Sequence, residues 1–155
     1  MDNAELFKVL VNCELFSGIE MAFIEKISAL CNAESYKAGE QIFNQGDYGE
    51  NLYIIAGGSV FLERSMDLGA RKAKVVTAIL GKGRVFGCWS TLLDEPHNLM
   101  SSATCHKASS MLKIEGSRLR KIMTLNSDLG FYIMERICKI LRERMRSVYG
   151  AMEKL

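Results

Sequence analysis

Short apolar runs separated by glycine-containing turns fill the middle of this 155-residue chain. Gly46-Asp47 and Gly57-Gly58 mark two of the turns, because glycine adopts positive φ without a Cβ clash. Strands this short and this numerous predict a compact antiparallel barrel or roll. The predicted strands lie at 41–44, 52–56, 59–64, 74–80, 84–86, 101–105 and 111–115.

Helical periodicity flanks this region on both sides. From 4 to 30 apolar residues recur at helical spacing, with an interruption at Ser17-Gly18, which predicts two or three short helices. Ser117 is a predicted N-cap for a helix over 118–125, and Ser127 or Asp128 is predicted to open a final helix. We therefore predict one α+β domain over 1–155, with N-terminal helices at 3–32, a β-roll at 33–115 and C-terminal helices at 116–155.

The final helix carries two apolar faces. Ile133, Ile137 and Ile140 form one stripe, which we expect to pack on the roll. The other stripe, called the seam below, repeats at alternating spacings of three and four residues, as in a heptad pattern. It predicts a homodimer through 128–155; the alternative is that the seam packs within its own chain. Its members are Phe131, Met134, Cys138, Leu141, Met145, Val148, Met152 and Leu155.

Composition narrows the range of functions. Lys plus Arg number 20 against 18 Asp plus Glu, so a formal charge of +2 gives no reason to expect direct nucleic-acid binding. The five cysteines form no Cys-x-x-Cys pair, which fits a reducing cytoplasm. No apolar run approaches the roughly 20 residues that span a bilayer. No nucleophile is paired with a base. We expect a cytoplasmic, non-enzymatic chain that does not bind membranes.

The segment from Tyr36 to Val60 resembles the opening strands of cyclic nucleotide-binding domains, the β-roll family that includes the catabolite activator proteins. The matching motifs are Ala38-Gly39-Glu40, Gly46-Asp47 and Leu52-Tyr53-Ile54. The resemblance implies a jelly-roll or cupin-like β-roll, a regulatory role and cAMP or cGMP as ligand. Because the sequence ends at Leu155, we expect a stand-alone domain without a helix-turn-helix module.

In this family a phosphate-binding cassette typically reads Phe-Gly-Glu, then a small residue and Leu, and then Arg-x-Ala-Ser/Thr. The corresponding segment here, residues 86–104, begins with Phe86-Gly87 but continues with Cys88, where the family has the glutamate for the ribose. The arginine position falls on His97 or on Leu99, depending on which end of the segment sets the alignment. A thiol is a weak, uncharged acceptor and leucine makes no hydrogen bond, so both charged anchors are replaced.

The resemblance thus implies a ligand site in the cassette. Backbone amides near Cys88 and Ser101 are candidate anion donors. His97 either contacts the ligand or is a solvated loop residue, and Trp89 either stacks on the ligand or packs at the mouth of the pocket. The implied site residues are Phe86, Gly87, Cys88, Trp89, Ser90, His97, Leu99, Met100, Ser101 and Ser102.

Three functions remain open at this point. The first is a regulatory module whose ligand shifts the final helix and the dimer. The second is a ligand-independent dimeric scaffold, or a sensor of a ligand less polar than a nucleotide. The third is haem or metal sensing through Cys88, His97, Cys105 or His106, which is disfavoured because strand alternation places Cys105 and His106 on opposite faces.

Overall fold

A computed structural model describes residues 1–154. Two helices, α1 (Asn3–Asn12) and α2 (Met21–Ser28), precede the strands, and α3 (Gly116–Leu125) and α4 (Ser127–Met152) follow them. A short 3-10 helix (Trp89–Leu93) lies between β6 and β7. The strands are β1 (Asn32–Tyr36), β2 (Gln41–Phe43), β3 (Asn51–Gly57), β4 (Ser59–Asp67), β5 (Lys72–Gly81), β6 (Val85–Gly87), β7 (Ser102–Cys105) and β8 (Ser109–Glu115).

The strands form two antiparallel four-stranded sheets, which confirms the predicted α+β roll. Sheet 1 has the order β1-β8-β3-β6, and sheet 2 has the order β2-β7-β4-β5. One face of sheet 1 packs on the helices through Leu52, Ile54 and Leu112. Its other face meets sheet 2 across a smaller cluster that contains Ile55, Phe86 and Met111. Sheet 1 therefore lies between the helices and sheet 2.

The structure corrects several predicted boundaries. β1 was not predicted as a strand, because its sequence Asn-Ala-Glu-Ser-Tyr has no apolar alternation; its pairing with β8 creates it. The strand predicted from 101 begins at Ser102, and β4 and β5 extend to a longer hairpin. α4 begins at Ser127, one of the two predicted starts.

Ser117 is not the N-cap of α3. The helix begins one residue earlier, at Gly116, and Glu115 holds the N-cap position without a side-chain cap. The Ser117 hydroxyl instead donates to Glu115 Oε1 at 2.6 Å. The capping prediction failed because a serine before a helical pattern resembles an N-cap whether or not the preceding backbone is already helical.

α4 packs on α3 and β5 and contacts β6 and the N-terminal loop through Arg144 and Arg136. Its isoleucine stripe is buried, as expected, with Ile133 at 0% exposure. The described seam residues divide into two sets: Phe131, Cys138, Leu141, Met145 and Met152 are exposed, whereas Met134 and Val148 are half-buried and Met134 packs on the main core. Leu155 lies outside the described residues. Over residues 1–154, no helix combines the length and apolar character needed to cross a bilayer.

Candidate functional site

The cassette runs from β6 through the 3-10 helix to β7. Phe86 is fully buried on the inner face of sheet 1, where it stacks on Tyr53 with ring centroids 5.2 Å apart. Phe43 of sheet 2 lies 5.9 Å from Tyr53 and 6.0 Å from Phe86. Gly87 has φ of 120°, and a Cβ there would lie 2.4 Å from the Asn51 carbonyl oxygen, so only glycine fits. An aromatic cluster thus fills the roll beside the cassette.

Cys88, Ser90 and His97 form a closed polar group. The Cys88 N–H donates to the Asn51 carbonyl at 2.9 Å, which directs its buried thiol toward the loop. Its Sγ lies 3.3 Å from Ser90 Oγ and 3.8 Å from His97 Nδ1. Ser90 Oγ and His97 Nδ1 are hydrogen-bonded to each other. The polar side chains at the predicted anchor positions therefore satisfy one another.

The segment 97–99 pairs with the turn 46–49 of the hairpin motif. Gly49 N–H donates to the His97 carbonyl at 3.1 Å, and Leu99 exchanges bonds with the turn by donating to Asp47 O and accepting from Gly46 N–H, both at 2.8 Å. A Cβ on Gly49 would lie 2.7 Å from Cys88 Cβ and 2.9 Å from a Leu99 methyl. The contact between Cys88, Leu99 and Gly49 is consequently close-packed.

The other predicted site residues differ in how near they lie to Cys88. His97 and Leu99 both lie beside Cys88, so the structure brings together both candidates for the arginine position. The Ser102 hydroxyl accepts from Gln45 N–H at 2.9 Å, Ser101 is half-buried, and Met100 is 64% exposed. Trp89 packs on the main core rather than on the aromatic cluster.

Sequence reasoning missed the partners of the cassette. Gly49 and Asn51 hold it through backbone bonds, and Gly49 contacts Cys88 and Leu99 directly. Both residues belong to the hairpin motif that indicated the family, so the second glycine of Gly46-Asp-Tyr-Gly49 was the available signal. A hairpin glycine is normally attributed to its own turn, which hid its packing role.

The inner face of sheet 1 also holds an ion pair that the sequence did not indicate. Lys113 donates to Glu34, and the Tyr36 hydroxyl donates to the same carboxylate. Burial alone would raise the pKa of Glu34, but these two hydrogen bonds outweigh it and lower the pKa overall. Burial, followed by the bond to Glu34, raises the pKa of Tyr36. The pair is thus charged and internally neutralised at neutral pH.

The four residues considered for metal or haem do not converge. Cys105 is buried between the sheets, whereas His106 is exposed and places its ring 6.5 Å from that of Phe61. Within residues 1–154, no group of three or more His, Cys, Asp or Glu side chains is arranged to hold a metal ion. In the described part of the chain, Cys88 and His97 meet without a third such ligand.

A second feature lies on the outer surface of α4. An apolar groove of about 380 Å³ is lined by seam residues Cys138, Leu141 and Met145, with Tyr149 beside them. Arg142 and Arg146 border the groove, and neither makes an ion pair within the described part of the chain. Three exposed seam residues, Cys138, Leu141 and Met145, therefore share one surface with Tyr149.

Two antiparallel four-stranded sheets, entered by short helices, interrupted by a 3-10 segment before β7 and followed by a long helix, define a helix-flanked β-roll. The model of the cyclic nucleotide-binding domain matches residues 33–126. The chain belongs to the cyclic nucleotide-binding domain family.

Individual relatives agree with this assignment. The cyclic AMP receptor protein of Thermus thermophilus is 38% identical over 81 residues, which cover 52% of this chain and 36% of that protein. A CRP-like cAMP-activated global transcriptional regulator of Mycobacterium tuberculosis is 24% identical over 90% of this chain and 58% of its own length. The chain thus spans about a third to somewhat over half of these relatives. A cyclic nucleotide-binding domain from Methylobacillus flagellatus has the same fold, with a TM-score of 0.78, 17% identity, and coverage of 98% of this chain and 83% of that one.

Proposed function

We propose that this chain is a non-enzymatic regulatory binding module, a single cytoplasmic domain that forms a homodimer through α4 and contacts neither DNA nor membrane directly. The observation that supports the proposal is the mutual bonding of Cys88, Ser90 and His97 in the segment where the family resemblance predicts the ligand site. No carboxylate and no guanidinium belong to the predicted set of site residues. A cyclic nucleotide would therefore bind weakly, through backbone amides and a single histidine.

A second candidate function is supported by the packing around Gly49. Cys88 and Leu99 meet over this glycine with no room for an added methyl group, so the anchor positions are already occupied by protein atoms. This favours a scaffold that acts without a ligand, or a sensor of a ligand less polar than a nucleotide. The two functions share the fold and the dimer and differ only in what enters the roll.

Titration calorimetry with cAMP and cGMP distinguishes these functions. We expect the unmodified protein to bind neither nucleotide at micromolar concentration. Cys88→Glu combined with Leu99→Arg, and separately with His97→Arg, should strengthen binding by roughly 10–100-fold, because an arginine makes two charge-assisted bonds to a phosphate. Leu125→Arg is the matched control, since it adds the same charge at a position that is 83% exposed and outside the predicted site.

The outcomes separate clearly. Micromolar binding by the unmodified protein would establish a cyclic-nucleotide sensor that uses the backbone and His97. Binding only after an anchor is restored would support a retained fold whose ligand has changed or been lost. No gain in either anchored variant, with both variants folded by circular dichroism, would contradict the assignment of the anchor positions.

The dimer rests on the exposed half of the seam. Met145 is 55% exposed at the centre of the α4 groove, a position where a lone chain would leave apolar surface in water. Met145→Glu should shift sedimentation from dimer to monomer. Leu93→Glu, at a 50% exposed leucine in the cassette, is the control for the same chemical change away from α4. A monomeric unmodified protein would show instead that the seam does not join two copies.

A further inference from the structure

β6 is an edge strand whose free side is bound by side chains. It is the last strand of sheet 1, so one edge has no neighbouring strand. On that edge the Val85 N–H donates to Glu14 Oε1 at 2.7 Å, and the Val85 carbonyl accepts from Arg144 at 3.1 Å. Glu14 and Arg144 also pair with each other at 3.2 Å. Together they replace the missing strand two residues before the cassette glycine, Gly87.

The Glu14–Arg144 pair, called the clasp below, is shielded from solvent. The two side chains are 16% and 15% exposed. Burial lowers the pKa of the Arg144 guanidinium, against the opposing attraction of Glu14. Arg84 binds the other carboxylate oxygen of Glu14 at 3.0 Å. Removing Glu14 would take this carboxylate from the partly desolvated Arg144 guanidinium, whereas removing Arg144 would leave Glu14 paired with Arg84 alone.

The loop that carries Glu14 is attached on both sides. Toward the roll, the Glu14 N–H donates to the Gly83 carbonyl at 2.9 Å. Toward α4, Arg136 donates to the Glu14 carbonyl at 3.1 Å and to Ser17 O at 3.0 Å, and the Tyr132 hydroxyl donates to Ser17 O at 2.7 Å. The N-terminal loop therefore joins the strand that enters the cassette to two turns of α4.

We propose that the clasp is a latch that makes the position of α4 depend on the position of β6. This inference rests on the proposed regulatory function and names how the cassette acts on the seam. A shift of β6 at Val85 breaks both bonds on its edge, and Arg144 then releases the C-terminal part of α4. This part carries Met145 and Met152 of the seam, with Tyr149 beside them in the groove. The latch responds to the position of one residue, because the Val85 N–H binds Glu14 and the Val85 carbonyl binds Arg144.

A second route connects the same elements and serves as the comparison. Arg120 of α3 donates to the Leu92 carbonyl at the end of the cassette 3-10 helix, and α3 continues into α4. The clasp and the α3 route differ in their residues, so substitutions separate them. Glu135→Gln is a further control, because it breaks an exposed ion pair with Lys139 on the solvent-facing side of α4.

Amide hydrogen exchange of residues 145–152, measured by mass spectrometry, tests the latch. Leu99→Arg perturbs the cassette and should speed exchange in this segment severalfold. In an Arg144→Gln or Glu14→Gln background, exchange should already be fast, and Leu99→Arg should add no further change. Arg120→Gln and Glu135→Gln backgrounds should retain the response. Thermal melts identify which variants are folded. The two clasp variants each remove a different partner of the pair, so one can replace the other if it fails to fold.

The same measurement on the Met145→Glu monomer makes the result independent of dimerisation and of any nucleotide. A monomeric unmodified protein would contradict the proposed dimer while leaving the latch testable, because the exchange measurement needs neither a second copy nor a nucleotide. An undiminished response to Leu99→Arg in both clasp variants, or loss of the response only in Arg120→Gln, would overturn the latch.

Discussion

Gly116 lies directly against Thr91, so that a Cβ at Gly116 would lie 1.7 Å from Thr91 Oγ1 and 2.4 Å from Thr91 Cβ. Thr91 is buried in the 3-10 helix, and its hydroxyl donates to the Cys88 carbonyl at 2.8 Å. Gly116 in turn donates its N–H to the Glu50 carbonyl at 2.9 Å. The first residue of α3 thus contacts the cassette and the hairpin motif at once.

Gly116→Ala should reduce the free energy of unfolding by about 2 kcal/mol or more, because the added methyl group overlaps backbone-anchored atoms of Thr91. Urea denaturation measures the loss. Gly150→Ala is the matched control: it makes the same change in α4 where nothing lies within 4 Å, and should be neutral or stabilising by up to about 1 kcal/mol. Equal stabilities for the two variants would contradict the packing at Thr91.

Gly49→Ala should disturb the cassette without disturbing the helices. The methyl group would meet Cys88 and Leu99 inside 3.0 Å, so the loop 97–99 has to move or the protein loses about 1–3 kcal/mol of stability. Trp89, the single tryptophan, adjoins Cys88 and reports such movement by its fluorescence. Gly81→Ala, in open space at the end of β5, should leave the emission unchanged.

The two faces of α4 should respond differently to truncation. Ile133 is 0% exposed in the main core, so Ile133→Ala should cost about 2–5 kcal/mol. Phe131 is 73% exposed two residues earlier, and Phe131→Ala should cost under about 0.5 kcal/mol in the monomer. If the seam joins two copies, Phe131→Ala should also make the melting temperature less dependent on protein concentration. Similar losses at both positions would place Phe131 in the core of its own chain.

The sequence predicted those features that depend on local pattern. The hairpin turns, the runs that became β2 to β8 and the buried isoleucine stripe follow from glycine positions and apolar periodicity. β1 was missed because a polar segment becomes a strand only when β8 supplies its hydrogen-bond partners. Heptad counting treated the seam as uniform, whereas Met134 packs on the core and Met145 faces solvent.

The site was predictable as a segment but not as an arrangement. The change at Cys88 was visible in the sequence, yet its contacts with Ser90, His97 and Gly49 join residues from three separate parts of the chain. No local rule reports such contacts. The same limitation applies to Glu14 and Arg144, which are far apart in sequence and meet only because β6 is an edge strand.

Glu34 should make stability depend on pH in the acid range. Its folded-state pKa is lowered, so its contribution is present above the unfolded pKa of about 4.3 and is lost as the pH falls through the folded value. Glu34→Gln should therefore cost about 0.5–1 kcal/mol at pH 7, as expected for a half-exposed ion pair, and progressively less below about pH 4. Urea denaturation at pH 7 and at pH 3 measures the difference between the two penalties. Glu63→Gln, which breaks the more exposed pair with Lys74, should cost less at pH 7. A Glu34→Gln penalty that persists undiminished at pH 3 would show that shape, and not the charge bound by Lys113 and Tyr36, stabilises this end of the roll.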